Sequence, residues 1–317
     1  MTKRLLFLVL TAVALVGAAA GPAAGGKTSA EELLAQYQPV LVLDQFERFA
    51  PIPAEAFVAE AGLERFGDAG YAAEEMGKHG LPTHGKGWRL NQTPCSPAAG
   101  LASVGCYAAG PAAGPVVYGR HEKQQGTTVL QYWIFYEYNF WSLQYPASDL
   151  VWQAHEGDWE VVTIVLDKER TPVEAGYSQH CGGERRPWAT VPKVPVSDHP
   201  LVYVGTGSHA NLFAPGPHAI DLACYPPEAV AFFAAYHVTP FDVNVPGRML
   251  GPETMAIEPL EHKEPRWLRF PGTWGETQYV HAPPPFGTLE YGTSPVGPRF
   301  QSEWDDPLGT IAGYRAV

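Results

Sequence analysis

Basic residues are scarce in this chain: 21 Lys and Arg stand against 33 Asp and Glu, a formal charge of −12. That balance argues against nucleic acid as a partner, because a phosphate backbone is held by clustered positive charge. Cysteine is limited to four residues with no Cys-x-x-Cys spacing, so the sequence lacks the usual signature of a structural zinc site. There is no internal repeat, and beyond the N-terminus no apolar run is long enough to cross a bilayer as a helix. Familiar catalytic signatures are missing too. In His155-Glu156-Gly157-Asp158-Trp159 a tryptophan stands where a zinc protease needs its second histidine. Gly205-Thr206-Gly207-Ser208-His209 departs from Gly-x-Ser-x-Gly, and adjacent Ser and His on extended backbone point apart.

Glycine, proline and aromatic residues are plentiful. With 33 Gly, 31 Pro and 12% aromatics, the composition predicts many turns between short apolar segments rather than long helices. The expected fold class is all-β or β-rich, a β-sandwich core with a few short helices and long loops. Lys3-Arg4, the apolar stretch Leu5 to Val16 and the small residues Gly17 to Ala20 read as a cleaved secretory signal over residues 1–20. A flexible spacer follows over 21–28, and 29–317 is expected to be a single β-rich domain. Removing Lys3 and Arg4 leaves a charge of 19 − 33 = −14. The expected location is extracellular or periplasmic, where four cysteines fit two disulfides. Of the three possible pairings, Cys95 with Cys106 and Cys181 with Cys224 is preferred, the first closing a local loop and the second clipping two loops together.

Along the chain, Ser29 and Glu32 form a capping box ahead of a helical stripe of Leu33, Leu34 and Tyr37. Val40 to Leu43 reads as a buried strand. Pro53 to Phe66 has helical spacing ended by Gly67, and residues 67–126 lack pattern apart from possible short strands. From Thr127 the signal strengthens. Val129 to Phe140 is a long aromatic strand, with Gln131, Trp133, Phe135, Glu137 and Asn139 on one face and Leu130, Tyr132, Ile134, Tyr136 and Tyr138 on the other. Leu201 to Val204 is a further strand and Pro227 to Tyr236 a short helix. Trp267, Phe270, Trp274 and Trp304 are expected to form a packed covering layer.

The stretch His155 to Glu160 carries the chemistry. Read as a strand running into Val161 to Leu166, it places Asp158 and Glu160 on the side of Val162, Ile164 and Leu166. Ionised carboxylates heading a buried face cost several kcal/mol each unless paired (about 3–5 kcal/mol when one partner is lost), so a counter-charge is expected. A divalent cation is one answer. Pairing with Arg120, Arg185 or Arg186 is the other, and spacing alone does not choose between them. His180 and His209 follow other β segments, and Glu137 and Asn139 end the aromatic strand, so all four are candidates to complete a shell. Trp141 and Trp152, on the intervening loop, are candidates for stacking against a ligand.

Several motifs together resemble the family related to vacuolar protein sorting protein 62. These are Tyr132 to Asn139, His155 to Glu160, Tyr177-Ser178-Gln179-His180, Gly207-Ser208-His209-Ala210-Asn211, Phe270 to Gly275 and Gly297-Pro298. That resemblance implies no activity. The His155 to Glu160 stretch also resembles the Gly-His-Arg-His-Asp-Trp-Glu heptapeptide of necrosis- and ethylene-inducing peptide-like toxins, in which a His, an Asp and a Glu surround a divalent cation on a β-sandwich. His155, Asp158 and Glu160 match those three. Gly157 replaces the second His, Glu156 replaces the Arg, and Asn139 stands roughly where the toxins have a further Asp. The likeness implies that His155, Asp158 and Glu160 hold a divalent cation, Ca²⁺ or Mg²⁺ ahead of Mn²⁺ or Zn²⁺. The expected function is cation-dependent binding of a cell-surface glycan or lipid headgroup. Its rivals are a metal-dependent hydrolase of phosphoesters or glycans and a structural extracellular domain.

Overall fold

The computed structural model describes residues 29–78, 80–92, 114–142, 151–222, 225–260, 264–276, 278–281 and 288–317. The signal, the spacer, and Cys95, Cys106 and Cys224 lie outside them. In chain order the strands are β1 (Val40–Asp44), β2 (Gly62–Gly67), β3 (Gly70–Glu74), β4 (Trp88–Asn91), β5 (Val116–Gln124), β6 (Thr127–Ser142), β7 (Val151–Leu166), β8 (Pro172–Gln179), β9 (Gly182–Pro187), β10 (Leu201–Val204), β11 (Asn211–Leu212), β12 (Gly216–Ala219), β13 (Phe241–Asn244), β14 (Pro246–Leu250), β15 (Ala256–Pro259), β16 (Gln278–His281), β17 (Thr288–Gly292) and β18 (Arg315–Ala316).

The chain is β-rich and built around one long hairpin. β6 and β7 pair antiparallel from Thr128↔Leu166 to Asn139↔His155, at the centre of a seven-stranded sheet ordered β15-β5-β6-β7-β8-β9-β18. Gln125 and Gly126 both have left-handed φ, so β5 enters β6 through a two-residue turn whose twist matches the strands. Cross-strand partners share a face, and Tyr132↔Val162, Ile134↔Glu160 and Tyr136↔Asp158 confirm that Asp158 and Glu160 lie on the side of Val162, Ile164 and Leu166. That side packs on a four-stranded sheet, β11-β10-β1-β14, through Leu130, Tyr132, Ile134, Tyr136, Val162 and Ile164 against Leu41, Leu43, Val202, Val204 and Leu250. The result is a β-sandwich whose two layers meet over an apolar interior.

The opposite side of the seven-stranded sheet carries Trp133, Phe135, Trp159 and Val161. It is covered by Phe57, Leu63, Leu90, Trp267, Phe270 and Trp274, the tryptophan layer expected from the sequence. The capping box at Ser29 and Glu32 opens the helix Ala30–Gln36, whose Leu33 and Leu34 join the sandwich core. The helix predicted over Pro53 to Phe66 is shorter, Ala54–Glu60. Ala61 is extended and Leu63 enters β2, where pairing with Leu90 buries it in a sheet. Residues 67–126, without pattern in the sequence, contain β3, β4 and β5. Cys181 is disulfide-bonded and none of the described cysteines is free; its potential partners lie outside the described residues. Among the described residues no helix is long and apolar enough to cross a membrane.

Candidate functional site

Three segments meet around Asp158 and His209: the β6–β7 ladder between Asn139 and Asp158, the turn after β1, and the loop from β10 to β11. Two of the three are bent by left-handed residues, Gly157 on β7 and Gly207 and His209 on the loop. Glycine is required at two of them. A Cβ on Gly157 would overlap the Trp274 carbonyl oxygen, and one on Gly207 would overlap that of Phe140. His209 and His180 hold left-handed backbone without that freedom, a conformation that costs energy and gathers at functional positions.

His209 is fully buried and stacks flat on Tyr136, ring centroids 3.8 Å apart. Its Nδ1 lies 2.9 Å from Asp158 Oδ2. Its Nε2 lies 3.5 Å from Glu47 Oε1 and lacks a hydrogen-bond partner of good geometry. Glu47 is in turn held by three backbone N–H groups, from Arg48 at 2.8 Å, Phe49 at 2.9 Å and Gly207 at 2.6 Å. Burial alone pushes an imidazole toward neutrality, but the carboxylates of Glu47 and Asp158 outweigh it and raise the His209 pKa to about 9. Burial likewise opposes ionisation of Glu47, yet the imidazolium and the backbone donors hold its pKa below the usual value. Asp158 is held down against burial in the same way, by the hydrogen bond and charge of His209 and by the Asn139 amide.

Asn139 Nδ2 lies 3.4 Å from both Asp158 Oδ2 and the Ser208 carbonyl. Both are acceptors, so the amide orientation is fixed and Asn139 Oδ1 is left buried without a partner. His155 sits opposite Asn139 across the ladder, with Nδ1 3.1 Å from the Gly157 carbonyl. A carbonyl only accepts, so Nδ1 carries the proton and Nε2 the lone pair; burial keeps the ring neutral. Glu160 accepts a hydrogen bond from the Ser178 hydroxyl and stands well above the ordinary carboxylate pKa because of burial and the charge of Asp158.

The structure therefore brings Asp158, Glu160, His155, His209 and Asn139 into one cluster. It separates Glu137 from them. Gly157 interrupts the regular alternation, so Glu156 turns to the far side and accepts from the Gln92 N–H, and Glu137 faces Glu60 and Glu156 there. Burial, with those two charges, raises Glu137 to about 7. The expected neighbourhood of Glu137 and Asn139 is thus corrected. His180 stands apart with Asp242, Nε2 to Oδ2 2.9 Å. Trp141 is interior, its ring against His180 and its Nε1 3.3 Å from the Phe241 carbonyl, so it presents no face to a ligand. Trp152 lies in β7, with its side chain outside the described residues.

Arginine does not supply the counter-charge. Arg120 bonds Gln131 and the Trp304 carbonyl, Arg185 bonds Glu174, and Arg186 lies over the Phe213 ring. Sequence reasoning missed Glu47, Ser178 and Asp242. Glu47 sits in a patternless turn whose only local signal is Asp44, an Asx-type cap for Phe46 N–H. Among the described residues no group of three or more His, Cys, Asp and Glu side chains is arranged as a ready metal shell. Instead Glu47, His209 and Asp158 stand in line, with the imidazole between the carboxylates.

No known family's sequence profile matches the chain. No curated protein matches it either, so the resemblance to the vacuolar protein sorting family finds no support. The solved structures that match include two groups named for toxin folds or necrosis. One, described as a toxin fold for microbial attack and plant defense, is 12% identical over 90% of this chain and 92% of its own, with a TM-score of 0.41. Necrosis and ethylene inducing protein 2, from the causal agent of cocoa's witches' broom disease, is 15% identical over 71% and 72%, with a TM-score of 0.31. NLPPya in complex with mannosamine is 12% identical over 59% and 67%, also at 0.31. At these scores the superpositions fix neither family nor function.

Proposed function

We propose that this is an exported β-sandwich protein that binds a divalent cation at Asp158 and uses it to engage a glycan or lipid headgroup at a cell surface. The observation that carries the cation is a charge imbalance. Glu47 and Asp158 are buried as carboxylates on either side of one imidazolium, His209, which leaves one negative charge unmatched; Glu160 beside them adds a second when it loses its proton, and among the described residues no lysine or arginine pairs with any of the three. The remaining donors suit a hard cation with one nitrogen ligand. Asn139 Oδ1 is an unmet oxygen beside Asp158, and His155 has its Nδ1–H tied to a carbonyl, the arrangement that orients a metal-binding imidazole and leaves Nε2 its lone pair. His155, Asp158, Asn139 and Glu160 would hold the ion, with Glu47 and His209 beside them, and oxygen predominance favours Ca²⁺ or Mg²⁺.

Burial of these side chains suits an ion that orders the neighbouring binding surface, whereas a metal-activated water needs an open position next to a substrate. The surface partner is the class implied by the toxin-like heptapeptide. The test is equilibrium dialysis of purified protein against Ca²⁺ or Mg²⁺ with metal analysis, followed by glycan-array and vesicle binding with and without chelator. Stoichiometric cation in the wild type, lost in Asp158→Asn, is expected. A wild-type protein that takes up no cation overturns the reading, and surface binding indifferent to chelator overturns its second half.

A further inference from the structure

The three-stranded sheet β3-β2-β4 is separate from both sandwich sheets and takes no part in the Asp158 site. One face sends Leu63 and Leu90 into the tryptophan layer. Side chains alternate along β2, so Glu64 and Phe66 lie on the other face, and the pairs Phe66↔Tyr71 and Glu64↔Arg89 put all four residues there together. Phe66 is 62% exposed and Tyr71 41%. Their rings meet edge to face, with centroids 5.3 Å apart and planes at 66°, and form an open corner. The Arg89 guanidinium lies 3.8 Å from the centre of the Tyr71 ring and backs it. Arg89 is clamped in turn by Glu64 at 2.6 Å and Glu276 at 3.3 Å, and the Asn91 amide donates to Glu64 at 3.0 Å. The Tyr71 ring is therefore held in place before anything binds, which removes the ordering cost that an exposed side chain otherwise brings to an interface.

Adjacent exposed aromatics mark a contact site, and size and charge select what the site takes. Two such rings bury at most about 150–250 Å² each. That falls short of the about 800 Å² that each partner contributes to a standard protein interface. A bilayer is disfavoured by charge: Asp68 stands in the turn closed by Gly67↔Gly70, between the strands that carry the two rings, so a tip driven into lipid would take a carboxylate with it. A sugar ring matches both features. Its apolar C–H face packs on an aromatic ring, and the hydroxyls around its rim need donors and acceptors beside that ring. Arg89, Glu64 and Glu276 supply both, with 14%, 19% and 18% of their side chains exposed. Because Arg89 is already paired with carboxylates, the ligand need bring no charge. We propose that this face is a carbohydrate platform, on which a neutral sugar ring stacks in the corner of Phe66 and Tyr71 and its hydroxyls bond Arg89, Glu64 and Glu276. It is a second surface, independent of the cation at Asp158.

The test is native affinity electrophoresis of the full chain through gels containing a soluble neutral polysaccharide (a mannan, a β-glucan, a starch or a galactan), run with chelator and with Ca²⁺. Phe66→Ser, Tyr71→Ser and the double variant are compared with Phe300→Ser, an aromatic 44% exposed elsewhere on the surface. Both ring positions are exposed, so unchanged thermal unfolding is expected of all four variants. In chelator the wild type and Phe300→Ser should be retarded by at least one polysaccharide. Tyr71→Ser should bind it about tenfold more weakly, and the double variant should run as in a plain gel. A wild type retarded by none of the gels overturns the platform, as does equal retardation of the wild type and the double variant. Two further outcomes also overturn it: ring-dependent binding to sugar-free phosphatidylcholine–phosphatidylserine vesicles, and ring-dependent dimerisation in sedimentation. Failure of the cation reading looks different, because it leaves the Ca²⁺ and chelator gels identical while the ring variants still lose binding.

Discussion

Replacing Gly157 with alanine tests the geometry on which the site depends. The residue has φ +56°, a conformation that costs an L side chain about 1–2 kcal/mol. A Cβ there would also fall 2.9 Å from Trp274 Cβ and closer still to the Trp274 carbonyl oxygen, and both belong to the covering layer. Overpacking of that kind costs about 1–3 kcal/mol. The sum is a destabilisation of about 2–5 kcal/mol. Gly126→Ala is the matched control: φ is +81° in the turn between β5 and β6, and a Cβ there meets nothing within 4 Å. It should lose only the conformational part, about 1–2 kcal/mol. Urea denaturation of both variants, with the slope checked for equality, gives the difference. A gap of about 1–3 kcal/mol between them is expected, accompanied by weaker cation binding in Gly157→Ala alone. Equal losses in the two variants would refute the claim that the covering layer presses on the site through this residue.

Without metal, His209 should make stability depend on pH. Its folded pKa is raised to about 9 from an ordinary 6.5, so the stabilisation is complete below pH 6.5 and is lost as pH rises through about 9. Melting temperatures across that range in chelator should fall for the wild type and fall less for His209→Gln; parallel curves would contradict the buried imidazolium. Ser178→Ala should cost about 1–3 kcal/mol by urea denaturation, since it strips partners from Val161 N–H, the Asn211 amide and Glu160. A loss under about 0.5 kcal/mol would show that water replaces the hydroxyl freely. Alkylation followed by intact mass measurement should label none of the four cysteines before reduction and all of them after it. Labelling of any in the unreduced, denatured protein would disprove two disulfides.

The parts of the fold that sequence reading reaches are those with strict periodicity. The aromatic run of β6 and the Val161 to Leu166 run of β7 alternate cleanly, and the register bears out the shared face of Asp158 and Glu160. Alternation fails where the backbone leaves the extended region. At Gly157 the left-handed turn sends Glu156 to the far side, and no pattern of residue types could place Asn139 with Asp158 but Glu137 with Glu60. Glu47 escaped for a different reason: it is brought to His209 by the return of the chain from β10, a contact 162 positions away in sequence, and backbone donors, which no residue type announces, hold it there. Leu63 was misplaced in a helix because its spacing from Phe57 and Val58 fits one, whereas the pairing with Leu90 that decides its conformation is non-local.

The two borders of the large sheet carry a consequence for how the chain is made. β15 closes one edge and β18 the other, each a short strand running parallel to its neighbour. β18 pairs Arg315 with Glu184, and their side chains form an ion pair at the same point. Until residues 315–316 pair with it, β9 has an open row of backbone donors and acceptors, the kind of edge that recruits strands from other chains. Deletion of residues 315–317 should therefore harm solubility more than it harms cation binding.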